Sequence, residues 1–223
     1  MHQQIGKKIF IYIFILFFLG TFNNQKLLDL YYFSLKNIII ETSDNTNFVQ
    51  LSDEIFNQKK LNIFFINLNT IKNIIENNNL VEKYYVIKNY PSTLKIKIIK
   101  TEFFSRLNIE GKTFNIGTNG KLTEEFSNSD NLPFVFGNPS IDDVIEFYTI
   151  IKTSKFNFNE FKNLFYYKSG RWDIETIDGI IIKLPKDDLA KKLQEIHIII
   201  SNKNFTNQKI IDARIISQLI LYD

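Results

Sequence analysis

The chain has 223 residues, 44% of them apolar, with 27 basic against 24 acidic side chains and no cysteine. Without cysteine there is neither a disulfide framework nor a thiolate metal site. A near-balance of scattered charges lacks the clustered basic excess that a nucleic-acid surface needs. The only strongly apolar run, Ile9 to Phe22, follows Lys7 and Lys8. As a helix it covers about 21 Å of a hydrocarbon core about 30 Å thick. Ile5 and Gly6 extend it, and the lysine stems can snorkel to the headgroups. Its rivals are a cleaved secretion signal and a buried core helix. Against cleavage, the exit Gly20-Thr21-Phe22-Asn23 offers no pair of small residues for a signal peptidase. The pattern predicts a cytoplasmic tail over 1–8 and a membrane helix with its exit over 9–28, with the bulk of the chain carried across the membrane by the two lysines.

No acid precedes Asp29, so removing Lys7 and Lys8 from the 27 basic residues leaves 25 against 24 in an almost neutral exported part. Over 35–101 the expected order is strand, helix, helix, strand, strand, a small α+β domain. Lys36 to Thr42 is a β-branched run; Ser52 is placed as cap of a short helix, and Asn69 as cap of a second that ends at Asn77, Asn78 and Asn79. Val81 to Asn89 then reads as a strand stopped at Tyr90 and Pro91, and Leu94, Ile96 and Ile98 alternate with lysines in the next.

Over 102–223 the chain becomes β-rich, with two helices. Strands are expected over 103–109 and 113–116 about a turn at Glu110 and Gly111, followed by a turn at Asn119 and Gly120. A helix over 140–153 opens on the capping-box spacing Ser140-x-x-Asp143. A meander follows over 161–168, 171–177 and 180–184, then a helix over 187–200 with Asp187 and Asp188 in its first turn. The closing segment, 210–222, is read as one strand, with Ile211, Ala213, Ile215, Leu219 and Leu221 on one face. It is either an internal strand or an edge strand able to accept another chain.

Chemistry is sparsely provided for. His2 lies on the tail and His197 beside Ile196 and Ile198; there is no phosphate-loop, Gly-x-Ser-x-Gly or His-Glu-x-x-His spacing. Glu124 and Glu125 are neighbours that a strand points apart. No catalytic residue, metal site, cofactor or small-molecule substrate is expected. A membrane-anchored periplasmic hydrolase would have to gather Glu124, Glu125 and His197 into one cleft.

Several motifs together resemble the FtsQ/DivIB family of bacterial cell-division proteins. Asn62-Ile63-Phe64 followed by Ile66 is similar to the family's step between the two helices of its POTRA domain, with Asn67 where Asp is usual and Lys60 where Gly is usual. Val81-x-x-Tyr84-x-Val86-x-Lys88-x-Tyr90-Pro91 followed by Thr93-Leu94-x-Ile96 is similar to its hairpin and is the most specific piece. Phe114-x-Ile116 ahead of Gly120, Leu132-Pro133 ahead of Gly137, Arg171-Trp172 ahead of Gly179 and Leu184-Pro185, and Ile211-Asp212-Ala213-Arg214 continue the series. Gly117, Lys100, Phe103 and Ala213 depart from it. The resemblance implies a transmembrane helix, a POTRA domain and a β domain. It also implies a non-enzymatic inner-membrane scaffold recruiting FtsB- and FtsL-type proteins through its C-terminal strand. The interaction role falls on Arg214, Ile215, Ile216, Ser217, Leu219 and Leu221, with Arg171 and Trp172 as neighbours; as a lone large aromatic in a strand, Trp172 is more often packed in the core than offered to a partner. The other reading of the same domain order is a POTRA-bearing export or outer-membrane assembly factor, for which the β-rich part is short.

Overall fold

The computed structural model describes residues 3–21, 33–42, 48–58, 62–124, 132–201, 209–215 and 217–222. Helix α1, Gln3–Thr21, exposes every side chain from Lys8 to Gly20. Among the described residues no helix is long and apolar enough to cross a membrane. Residues 22–28 of the expected membrane segment and its exit lie outside them. The chain divides into two compact units, Met1–Lys100 and Thr101–Asp223.

In the first unit, β1 (Asn37–Thr42) precedes α2 (Val49–Phe56), α3 (Leu68–Glu76), β2 (Val81–Asn89) and β3 (Thr93–Lys100). The sheet order is β1-β3-β2, with β1 parallel and β2 antiparallel to β3. Period-two alternation puts Leu94, Ile96 and Ile98 on one face, where they pack with Leu51 and Ile55 of α2 and Ile71, Ile74 and Ile75 of α3. The β2–β3 turn holds a cis Tyr90–Pro91 bond. Two expected caps move. Ser52 lies inside α2, its hydroxyl donating to the Val49 carbonyl at 2.7 Å. Asn67, not Asn69, caps α3 by accepting the Asn69 amide at 3.0 Å.

The second unit is mixed α and β around one large sheet. It comprises β4 (Phe103–Ile109), β5 (Lys112–Gly117), β6 (Leu122–Glu124), β7 (Phe134–Phe136), α4 (Ile141–Thr153), β8 (Phe161–Tyr166), β9 (Trp172–Thr176), β10 (Ile181–Lys183), α5 (Leu189–Ile200), β11 (Ile210–Asp212) and β12 (Ile220–Tyr222). The nine strands run β12-β11-β10-β9-β8-β7-β4-β5-β6. Register carries one apolar row across seven of them: Leu107, Val135, Leu164, Ile174, Ile182, Ile211 and Leu221. Onto the same core α4 buries Val144, Phe147 and Ile151, and α5 buries Leu193 and Ile196. The Ser140 capping box forms, with the Asp143 amide donating to the hydroxyl at 3.1 Å and the Ser140 amide to the carboxylate at 3.0 Å. Asp187 and Asp188 do not behave as expected: α5 starts only at Leu189, and Asp188 precedes it at φ 58 with no side-chain cap.

Candidate functional site: the C-terminal sheet edge

The expected single strand over 210–222 is two short strands, β11 and β12, paired antiparallel. The alternation deceives because it continues through a connection that is not extended. Asp212 accepts the Arg214 amide at 3.1 Å, and the Gln218 amide turns back to the Ile215 carbonyl at 3.1 Å. Ile211 and Ala213 are buried as expected, Leu219 and Leu221 pack partly on the core, and Ile215 is 53% exposed. Arg214 and Ser217 are exposed, and Ile216 lies outside the described residues.

β11 is internal, between β10 and β12; among the described residues β12 ends the sheet. Which main-chain groups remain for a further strand follows from the ladder. The Ile181 amide donates to the Lys209 carbonyl and the Ala213 amide to the Lys183 carbonyl, both at 2.8 Å, so Ile211 between them also addresses β10. Ile210 and Asp212 therefore address β12, where they meet Tyr222 and Ile220. Main-chain groups alternate sides along a strand, which turns the N–H and C=O of Leu221 outward.

Beside this edge a charged row crosses the sheet: Asp173, Lys183 and Asp212 are successive register partners on β9, β10 and β11. Asp173 and Asp212 are buried. Arg214 reaches back to Asp212 with its Nε 2.9 and 3.0 Å from the two carboxylate oxygens, a charge-assisted fork. That hydrogen bonding holds the Asp212 carboxyl below the usual range and raises Arg214 further above its own. Asp173 behaves oppositely. Burial pushes its carboxyl up, against the pull of Arg171, whose Nε lies 3.3 Å away. The Arg171 guanidinium also sits 4.5 Å from the centre of the Tyr167 ring.

Trp172 belongs to the core. It is 4% exposed, stacked on Phe147 at 4.6 Å, so its indole presents no face to a partner. Sequence reasoning missed Asp173, Lys183 and Asp212. Asp212, an acid between apolar residues and two places before an arginine, was a visible signal; the alignment with Lys183 and Asp173 needs the register. The candidate acids and histidine keep separate company. Glu124 on β6 pairs with Lys112 at 3.2 Å, and His197 on α5 lies edge-on to Phe156 at 5.3 Å. Glu125 is outside the described residues. Among those described, no group of three His, Cys, Asp or Glu side chains is placed to hold a metal ion.

Residues 99–214 match the family model for the C-terminal part of the cell division protein FtsQ/DivIB. The chain belongs to the FtsQ/DivIB family. Among its relatives are the cell division protein FtsQ of Rickettsia bellii, 27% identical over 185 residues (82% of this chain, 69% of that protein), and FtsQ of Rickettsia typhi, 25% identical over 187 residues (82% and 70%). The major extracytoplasmic domain of DivIB from Geobacillus stearothermophilus is similar at a TM-score of 0.36 and 14% identity, covering 47% of this chain and 94% of that one. The family match ends at Arg214, so in this FtsQ/DivIB chain Asp212 and Arg214 fall inside it and β12 beyond it.

Proposed function

We propose that this FtsQ/DivIB protein is a bitopic inner-membrane adaptor of the divisome. Its N terminus is cytoplasmic, α1 is its anchor, residues 35–101 are a POTRA domain, and the β-rich unit is periplasmic. It works without turnover, holding FtsB- and FtsL-type proteins by letting one of them continue the sheet at β12. Specificity comes from side chains near the added strand: Arg214 and Arg171 as cationic contacts, with Ile215, Ser217, Leu219 and Leu221 lining the approach; the interaction role of Ile216 falls outside the described residues. Trp172 has no direct part in that contact, since its ring packs against Phe147 and Tyr166 in the core.

The observation that carries this reading is the position of β12, last in the nine-strand order and paired only with β11 among the described residues. An edge of this kind supplies main-chain hydrogen bonds to an incoming strand, and alternate side chains select it. Leu221→Pro removes an outward amide and leaves the pairs Ile210–Tyr222 and Asp212–Ile220 in place. Co-purification from membranes is expected to lose the FtsB-type partner with this variant, and with a chain ending at Leu219, while the protein itself remains membrane-bound. A complex that survives both changes rules out strand addition.

A further inference from the structure

At one end of the first unit three stretches meet where the chain arrives from α1. The Phe33 carbonyl accepts the Ile63 amide at 2.9 Å, Ser34 bridges to Asn62, and the Ser92 carbonyl accepts the amides of Lys36 and Asn37 at 2.8 and 3.3 Å. Aromatic rings collect there. Phe33 lies edge-on to Phe64 at 4.7 Å, and Phe64 stacks on Tyr90 at 4.9 Å. The Lys88 ammonium reaches the Phe64 carbonyl at 3.4 Å. These rings are not needed for the core, which Ile63 and Ile66 fill from either side of the turn. Phe64, Phe65 and Tyr90 remain 42%, 52% and 58% exposed. The stretches 33–37, 62–65 and 88–92 hold Lys36 and Lys88 and no acid.

We propose that this aromatic corner seats in the headgroup layer of the same bilayer that α1 enters, an inference that rests on reading α1 as the anchor. Tether length names the occupant. Eleven residues, 22–32, separate Thr21 from Phe33. Eleven residues span at most about 40 Å even fully extended, so the corner can never leave the neighbourhood of the membrane surface. Tyr90 suits that depth, with its ring out of water and its hydroxyl among the headgroups, and the exposed Phe64 and Phe65 rings can enter the headgroup and acyl boundary as the apolar face of an interfacial segment does. Lysine stems lie along the same layer and place their charges among anionic headgroups. The contact would fix the height and tilt of the first unit above the bilayer, which a tether alone leaves undefined.

The chain has no cysteine, so single cysteines can carry a fluorophore without background. The full chain is reconstituted in vesicles of phosphatidylethanolamine and phosphatidylglycerol containing a headgroup-level nitroxide quencher, replaced by a nitroxide at the end of the acyl chain when the probe in α1 is read. The probe is placed at Leu16→Cys in α1, at Asn89→Cys beside Tyr90, or at Lys83→Cys. Lys83 lies six residues back along β2, which is about 20 Å at strand rise. The Leu16 and Asn89 probes are expected to be quenched, Asn89 at least about twofold more than Lys83. Phe64→Ser, Phe65→Ser and Tyr90→Ser together bring the Asn89 probe down to the Lys83 level. Tyr90→Ser alone does so in part, which guards against a folding failure of the triple variant. Quenching at Leu16 with Asn89 no different from Lys83 overturns the corner and leaves the anchor standing. No quenching at Leu16 overturns both. Quenching at Asn89 only after a second membrane protein is added makes the corner a protein interface and overturns the proposal.

Discussion

From Phe33 to Lys100 every buried side chain among the described residues is apolar, whereas from Thr101 onward eight buried positions are polar or charged. The first unit thus holds its three strands and two helices by apolar packing, with its polar groups at the surface. Four of the eight have partners: Thr101 faces Thr118 at 3.2 Å, Thr176 accepts the Ile180 amide at 3.0 Å, Lys192 meets Glu195 at 2.6 Å, and Asp212 meets Arg214, whereas Ser105, Asn115, Thr123 and Asp173 each keep a buried side-chain oxygen with no hydrogen-bond partner among the described residues. A buried polar group gains little when satisfied and costs much when stranded. The partnered groups therefore penalise wrong registers in a sheet whose outer strands are only three residues long. The unit that ends in a short, replaceable edge is also the one with the more demanding interior.

The largest expected effects are those the two units share. Phe147→Ala empties a fully buried site stacked on Trp172 and is expected to cost about 3–5 kcal/mol, and Ile96→Ala about 2–5 kcal/mol. Each unit has its own core, so hydrogen exchange read segment by segment should rise over 101–223 for the first variant and over 33–100 for the second. Equal rises in both units for either variant would remove the basis for treating the cores as separate.

Where apolar periodicity alone decides the structure, the sequence is easily read. The strand expected over 81–89 is Val81–Asn89, and Leu94, Ile96 and Ile98 share the buried face. Glycine turns were equally plain: Gly111 and Gly120 adopt φ 84 and 73, which an L side chain resists. Polar interactions were the unreadable part. Nothing in Asn67-Leu68-Asn69 says which asparagine turns inward to accept an amide, since both have the right chemistry within two residues. In 210–222 the period of two runs across Arg214 and Ile215, where the Asp212 side chain takes the Arg214 amide and the Gln218 amide turns back to the Ile215 carbonyl. Asp173 and Asp212 lie 39 positions apart and become neighbours of Lys183 through register, so half of the candidate site existed only once the sheet was assembled.

Those two aspartates sharpen the contrast further, because the same sheet treats them oppositely. Arg214 holds Asp212 below the unfolded carboxylate value of about 3.9, so its stabilisation is present above that pH and is lost as pH falls through the lower folded value. Burial raises Asp173, so its contribution is greatest while it is protonated and declines as pH climbs from the unfolded value through the raised one. Asp212→Asn should cost roughly 1–2 kcal/mol at neutral pH and little in strong acid. Asp173→Asn should cost less at neutral pH and gain on the parent as pH rises. Melting curves between about pH 3 and pH 7 test both, and parallel pH profiles for the two variants would show that Lys183 and the arginines do not distinguish them.

The smallest contrast lies in the helix caps. Ser140 and Asp143 satisfy each other's amides reciprocally, and the Ser140 hydrogen bonds hold the Asp143 carboxyl below its ordinary range. Asn67 offers α3 a single bond, from the Asn69 amide. Ser140→Ala is expected to cost about 1 kcal/mol and Asn67→Ala about half as much, since only the first change strands both halves of a reciprocal pair. The difference should also depend on pH. A carboxyl depressed in the folded state stabilises above the unfolded value and stops doing so as pH falls through the folded one, so acid should shrink the cost of Ser140→Ala and leave that of Asn67→Ala unchanged. Chemical denaturation of both variants at neutral pH and at about pH 3 measures this. A Ser140→Ala penalty that stays constant with pH would mean that the carboxylate adds nothing beyond the hydroxyl, and that the caps of the two units are energetically alike.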